Sequence, residues 1–183
     1  MLVTVTGGSG SGKSEYSENL LLSLDGKHHG GRAYIATMYP YDKESFKRID
    51  RHREMRKNKG FTTVECYTGL KQLMLPEGCR SALLECMSNL AANECFMENG
   101  AGADTVPEIL AGVRHLYKQL DNLVIVTNEI SSDGTLYERE TRNYQKILGD
   151  INRGLAGLSD GFVEVVYGIP VIHKAFNAQG GTQ

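Results

Sequence analysis

The chain has 183 residues, with 20 Lys and Arg against 22 Asp and Glu, a formal net charge of −2 with histidine neutral. That balance argues against a general nucleic-acid binder, which carries a basic excess, and no run approaches the roughly 18 uncharged apolar residues that a membrane span needs. Glycine is the unusual figure at 21 residues, where average usage is near 7%, yet it has no three-residue period and proline is scarce, so collagen-like and low-complexity chains are excluded.

The predicted elements begin with a strand at 2–6 that leads into a Gly/Ser-rich turn. A helix at 12–24 follows, with Tyr16, Leu20 and Leu24 at i, i+4 spacing, then a loop at 25–32 and a strand at 33–37. Residues 42–59 read as a basic helix, and strands follow at 62–66 and 82–85. After a loop at 99–104 comes the clearest amphipathic helix, 106–120, with Val106, Ile109, Leu110, Val113, Tyr117 and Leu120 on one face. A strand at 123–127 and a loop at 131–134 precede a second long helix, 139–158, striped by Tyr144, Ile147, Leu148, Ile151, Leu155 and Leu158. Strands at 162–167 and 171–173 close the pattern, leaving a polar tail at 175–183. Strands alternating with helices predict an α/β fold, a mostly parallel sheet with helices on both faces, in one domain over 1–174.

The sharpest motif is Gly7-Gly8-Ser9-Gly10-Ser11-Gly12-Lys13-Ser14, which fits G-x-x-x-x-G-K-[ST] between a strand and a helix. Glycines let the backbone curl its N–H groups around phosphate oxygens, and the helix N-terminus adds aligned dipoles. Lys13 would reach the β- and γ-phosphates, and the Ser14 hydroxyl would ligate Mg²⁺. The fold expected is therefore P-loop NTPase-like. A dinucleotide fingerprint fails because its third glycine position holds Lys13 or Glu15. A GTPase switch protein is disfavoured too, since no D-x-x-G occurs and Thr127-Asn128-Glu129 lacks the lysine of N-K-x-D.

On the basic helix, Arg48, His52 and Arg56 stand at i, i+4, i+8 and share one face. One account is a solvated basic helix with an incidental histidine. In the other, His52 attacks phosphorus as a neutral imidazole and forms a phosphoramidate, while the arginines clamp phosphate oxygens.

These residues carry a family likeness. The phosphate loop, Tyr34-Ile35-Ala36-Thr37 and the Arg48-Ile49-x-x-His52-Arg53-x-x-Arg56 helix resemble the bifunctional adenosylcobinamide kinase/adenosylcobinamide-phosphate guanylyltransferases of cobalamin assembly. The likeness continues through Thr63-Val64-Glu65, Leu83-Leu84-Glu85-Cys86, Asn93, Val126-Thr127-Asn128-Glu129 and Asn152 to Gly168-Ile169-Pro170. The resemblance implies a two-step enzyme, commonly a homotrimer. An NTP (ATP or GTP) phosphorylates the aminopropanol hydroxyl of adenosylcobinamide. GTP then guanylylates a histidine with loss of pyrophosphate, and the GMP passes to the cobinamide phosphate. The histidine at that position is His52. Nucleotide contacts implied by the family fall on Gly7 to Ser14, Ala36, Thr37, Met38, Arg53, Glu54, Met55, Arg56, Glu65 and Glu85. Either Glu65 or Glu85 would accept the paired N–H donors of guanine or hold metal-bound water.

The chain departs from the family at three places. Gly10 stands where an arginine is frequent, Gly60-Phe61 where a tryptophan is usual, and Ser131 where a glycine is usual. Cys66, Cys79, Cys86 and Cys95 show no C-x-x-C spacing and read as reduced thiols, and His28-His29 form a loop pair with no third ligand nearby. No signal-peptide pattern is readable, so a cytoplasmic location is expected. Two other functions fit the phosphate loop: a single-activity small-molecule kinase, and a nucleotide-binding regulatory module.

Overall fold

Alternate residues of the central strands enter two separate cores, as the two-residue side-chain period requires. The computed structural model describes residues 1–26, 30–130 and 139–177; of Met55 and Arg139 it describes the backbone only. Its strands are β1 (Leu2–Thr6), β2 (Gly31–Ala36), β3 (Phe61–Glu65), β4 (Cys79–Glu85), β5 (Asn122–Val126), β6 (Gly161–Val166) and β7 (Ile169–Lys174). They form one sheet in the order β3-β2-β4-β5-β1-β6-β7. Every neighbouring pair is parallel except β6 with β7. β1 runs in register with β5 on one side, Val3 opposite Val124, and with β6 on the other, Val5 opposite Val163.

Parallel strands need crossovers, and helices supply them. The helices are α1 (Lys13–Asp25), α2 (Lys43–Arg56), α3 (Met87–Phe96), α4 (Thr105–Tyr117) and α5 (Arg139–Leu158). On one face Leu2, Ile35, Leu84 and Ile125 pack with Leu90 of α3, Ile109 and Val113 of α4, and Ile151 and Leu155 of α5. On the other, Val3, Val5, Leu83, Val124 and Val165 pack against Leu20 and Leu21 of α1. The expected α/β, P-loop NTPase-like architecture is present, and α5 has the expected limits. No described helix is long and apolar enough to cross a membrane.

Several elements begin or end a few residues from expectation, and two helices differ more. The stripe of α1 is shifted by a residue: Ser17, Leu20 and Leu21 are buried, while Tyr16 and Leu24 pack only partly against the core. The helix also buries two carboxylates that an apolar pattern cannot reveal, Glu18 paired with Lys59 and Asp25 paired with Arg32 and Ser81. Helix α3 went without a sequence signal. Met87, Ser88, Leu90, Ala91, Asn93 and Glu94 are all buried, so there is no one-sided apolar stripe to read. His28, His29, Ser131 and the end of the tail lie outside the described residues.

Candidate active site

Because β1 to β5 are parallel, their C-terminal ends reach one edge of the sheet, where open α/β sheets bind ligands. Ala36 at the end of β2 is paired with Glu65 on one side and Glu85 on the other. The phosphate loop leaves β1 at the same edge. Helix α2 crosses above it between β2 and β3, and these parts enclose a cavity of about 560 Å³.

The loop is shaped by close approach. At Gly7 (φ 152°) a Cβ would lie 2.5 Å from the Val165 carbonyl oxygen, so no side chain fits. Gly12, at φ 90°, caps α1 and turns the chain into its first helical residue, Lys13. The Gly168 N–H donates to the Ser11 carbonyl at 2.8 Å, propping the loop from the β6–β7 turn. Lys13 is 9% exposed, and its Nζ donates to the Gly8 carbonyl at 2.9 Å. Burial holds the Lys13 ammonium below its usual pKa, with Cys86 and Glu85 opposing that shift.

Glu85 is the hub. Ser14 Oγ donates to its Oε1, and the Tyr34 hydroxyl donates to its Oε2 at 3.2 Å. His52 Nδ1 lies 3.8 Å from Oε1, buried and without a hydrogen-bond partner. Burial and the neighbouring carboxylate push the Tyr34 phenol far above its ordinary pKa, so it serves as a donor. Arg56, one turn after His52, lays its guanidinium carbon 3.2 Å from the Tyr34 ring centroid. Burial lowers the Arg56 pKa.

Five cations, Lys13, Arg48, Arg51, Arg53 and Arg56, line the cavity against three carboxylates, Glu15, Glu65 and Glu85. Ser11 Oγ and Arg56 Nη1 are buried there without partners. Buried polar groups are normally satisfied, so orphaned ones facing a basic cavity suit a polyanionic ligand. The Ser14 hydroxyl and Glu85 carboxylate are adjacent hard oxygens, the donor chemistry of a Mg²⁺ shared with phosphates. No cluster of three acidic, His or Cys ligands exists among the described residues, so phosphate and water oxygens would complete such a shell.

The sequence profile of the cobinamide kinase / cobinamide phosphate guanyltransferase family matches residues 3–172. The chain belongs to this family. The bifunctional adenosylcobalamin biosynthesis protein CobU of Salmonella typhimurium (strain LT2) is 30% identical over 190 residues, covering 93% of this chain and 98% of the relative. The protein of the same description from Escherichia coli (strain K12) is 30% identical over 188 residues, with the same coverage. Among solved structures, the flagellar accessory protein FlaH from Methanocaldococcus jannaschii superposes with a TM-score of 0.52 at 17% identity, over all of this chain and 81% of that one. That likeness is of fold alone.

Of the contacts the family implies, Ser9 to Ser14, Ala36, Met38, His52, Arg53, Arg56, Glu65 and Glu85 line the cavity. Gly7 and Gly8 shape the loop without lining it. Thr37 is fully buried, and its hydroxyl donates to the Cys86 carbonyl at 2.8 Å, tying β2 to the end of β4. Glu54 is turned to solvent, 3.6 Å from Lys57, and the side chain of Met55 lies outside the described part. The departure at Phe61 has a structural role, since its ring meets Tyr34 edge-on at 6.3 Å.

Tyr34, Asn89 and Asn128 also line the cavity and were not singled out as site residues. Tyr34 could have been found by period, because it stands two residues before Ala36 on the same strand face. Asn128 depends on tertiary contacts. Its amide donates to Ser88 Oγ at 2.6 Å, and its carbonyl accepts from Asn152 of α5 at 3.1 Å.

Proposed function

We propose that this chain phosphorylates the hydroxyl of adenosylcobinamide with an NTP and then transfers GMP from GTP to the resulting phosphate through guanylylated His52. The observation that carries the reading is the meeting of His52 and Ser14 on one carboxylate, Glu85. In the kinase step the acceptor hydroxyl oxygen attacks the γ-phosphorus, the bond to the β-phosphate oxygen breaks, a nucleoside diphosphate departs and the hydroxyl proton passes to solvent. The loop N–H groups and Lys13 hold the phosphates in line, and Arg48 and Arg56 oppose their charge. Bound Mg²⁺ at Ser14 and Glu85 would neutralise charge on the transferred group.

In the guanylyl step Nε2 of His52 attacks the α-phosphorus, the bond to the β-phosphate oxygen breaks, and pyrophosphate leaves. A phosphate oxygen of the acceptor then attacks the same phosphorus and releases the imidazole. Nδ1 beside Glu85 favours the tautomer that presents the Nε2 lone pair, and the carboxylate stabilises the ring as it gains positive charge. Glu85 is buried and committed to Ser14 and Tyr34, so guanine recognition falls to Glu65, which is half exposed beside Arg53 at 3.6 Å. A cytoplasmic homotrimer is the assembly and place we read from the family likeness alone.

The test is incubation with GTP labelled at the α-phosphorus. An acid-labile, alkali-stable protein adduct that is absent from His52→Ala supports the reading. Formation of cobinamide phosphate with no adduct makes the chain a single-activity kinase, and nucleotide binding with neither product leaves a regulatory module.

A further inference from the structure

A second cavity, of about 420 Å³, adjoins the first. Its walls come from the segment after β2, the first turns of α2 and the exposed side of α3. Met38, Arg48 and Asn89 line both cavities, so whatever occupies the second has a direct path to the phosphates in the first.

Three aromatic rings border this concavity, Tyr39, Tyr41 and Phe96. Tyr39 and Tyr41 pack with centroids 4.8 Å apart and their rings tilted by 53°, and Tyr67 braces Tyr39 edge-on at 5.1 Å. Tyr41 is 67% and Phe96 63% exposed, so neither ring contributes much to the core. Single exposed aromatics are ordinary, whereas several around one hollow mark a binding surface. The ionic character of this cavity is opposite to that of its neighbour. Asp42 and Glu44 stand on its wall, and the one cation there, Arg48, is already paired with Glu44. A nucleotide's phosphates would be repelled here, and a flat cation would be attracted.

We infer that this aromatic shelf seats the corrinoid acceptor, whose hydroxyl-bearing arm passes Met38, Arg48 and Asn89 to reach the phosphate cavity. The inference rests on the kinase/guanylyltransferase reading for the identity of the acceptor. Adenosylcobinamide is a planar macrocycle around Co(III), a monocation fringed with carboxamides. Aromatic faces suit the ring, carboxylates suit its charge and its amide N–H donors, and the Asn89 amide suits its carbonyls. The hollow is smaller than the macrocycle, so the ring rests across its mouth.

The test is equilibrium dialysis of adenosylcobinamide with the full chain and with the Tyr41→Ala/Phe96→Ala variant, alongside steady-state kinetics. Both side chains are solvent-exposed, and a Tyr41→Phe/Phe96→Tyr variant keeps the rings as a folding control. We expect the alanine variant to bind adenosylcobinamide at least about tenfold more weakly, with a matching rise in its KM. The rate of GTP labelling at His52 and the KM for GTP stay at wild-type values, and the ring-preserving variant binds normally. Unchanged corrinoid binding in the alanine variant overturns the shelf, as does a rise in the KM for GTP in its place. Were the wild type to take no label from GTP, the histidine reading would fail while dialysis still decided the shelf. No binding of adenosylcobinamide by the wild type would overturn both.

Discussion

The guanidinium of Arg56 lies over the ring of Tyr34, its carbon 3.2 Å from the centroid, and the hydroxyl of that tyrosine donates to Glu85. A cation from α2 is thus held over a strand of the sheet by a ring whose other end fixes the carboxylate beside His52. The contact uses the planarity of the guanidinium, which a lysine ammonium lacks.

Replacing Arg56 by Lys should therefore slow GTP labelling of His52 by about tenfold or more while the far-UV circular dichroism is unchanged. Tyr34→Phe keeps the stacked ring and loses only the hydroxyl. It should cost about 1 kcal/mol of stability, read as a fall in Tm of about 2–4 °C. The pH profile of labelling should keep its shape, because the Tyr34 phenol stays protonated throughout the working range. A new alkaline limb lost in Tyr34→Phe would contradict this.

Lys13 gives a prediction in pH. Its pKa in the folded chain is depressed below the ordinary 10.5 by burial. Between the folded pKa and 10.5 the unfolded chain binds more protons, so the stability of the native state relative to a chain lacking this group rises with pH. Urea denaturation of wild type and Lys13→Met from pH 7 to 10.5 should show the difference moving in favour of wild type over the alkaline part. A flat or falling difference would contradict the desolvation of this ammonium.

Helix α5 contains Gly149, Gly154 and Gly157, each costly in a helix interior. A Cβ at Gly154 would meet Leu110 Cδ1 at 2.6 Å, so that glycine lets α4 approach, whereas nothing lies within 4 Å of a Cβ at the other two. Gly149→Ala and Gly157→Ala should each stabilise the chain by about 0.5–1 kcal/mol. Gly154→Ala should gain less or lose stability. Thermal melts of the three single variants check the order.

The parts of the site carried by local motif were legible in the sequence. The phosphate loop needs its residue types in a fixed order, and the His52 face of α2 follows from helical period. The limits of β1 and α5 were equally plain because one alternates and the other is strongly amphipathic. What escaped were features made by tertiary contact. Met87–Phe96 buries the polar Ser88, Asn93 and Glu94 beside its apolar residues and exposes Phe96, so it shows no clean stripe. Glu18 is fully buried because Lys59, 41 residues later, meets it, and no local rule separates that glutamate from a solvated one. Family likeness alone points to Thr37 and Glu54, whose own side-chain contacts are to the Cys86 carbonyl and to Lys57.

The propping of the phosphate loop from the β6–β7 turn bears on synthesis as well as on binding. Ribosomes make residues 7–14 well before Val165 and Gly168, which confine that loop. The strands on either side of β1 are also late, at 122–126 and 161–166. The phosphate loop thus takes its working shape only after the residues of β6 and the turn that follows it have been made, so a ribosome-bound nascent chain halted before residue 161 should not retain nucleotide.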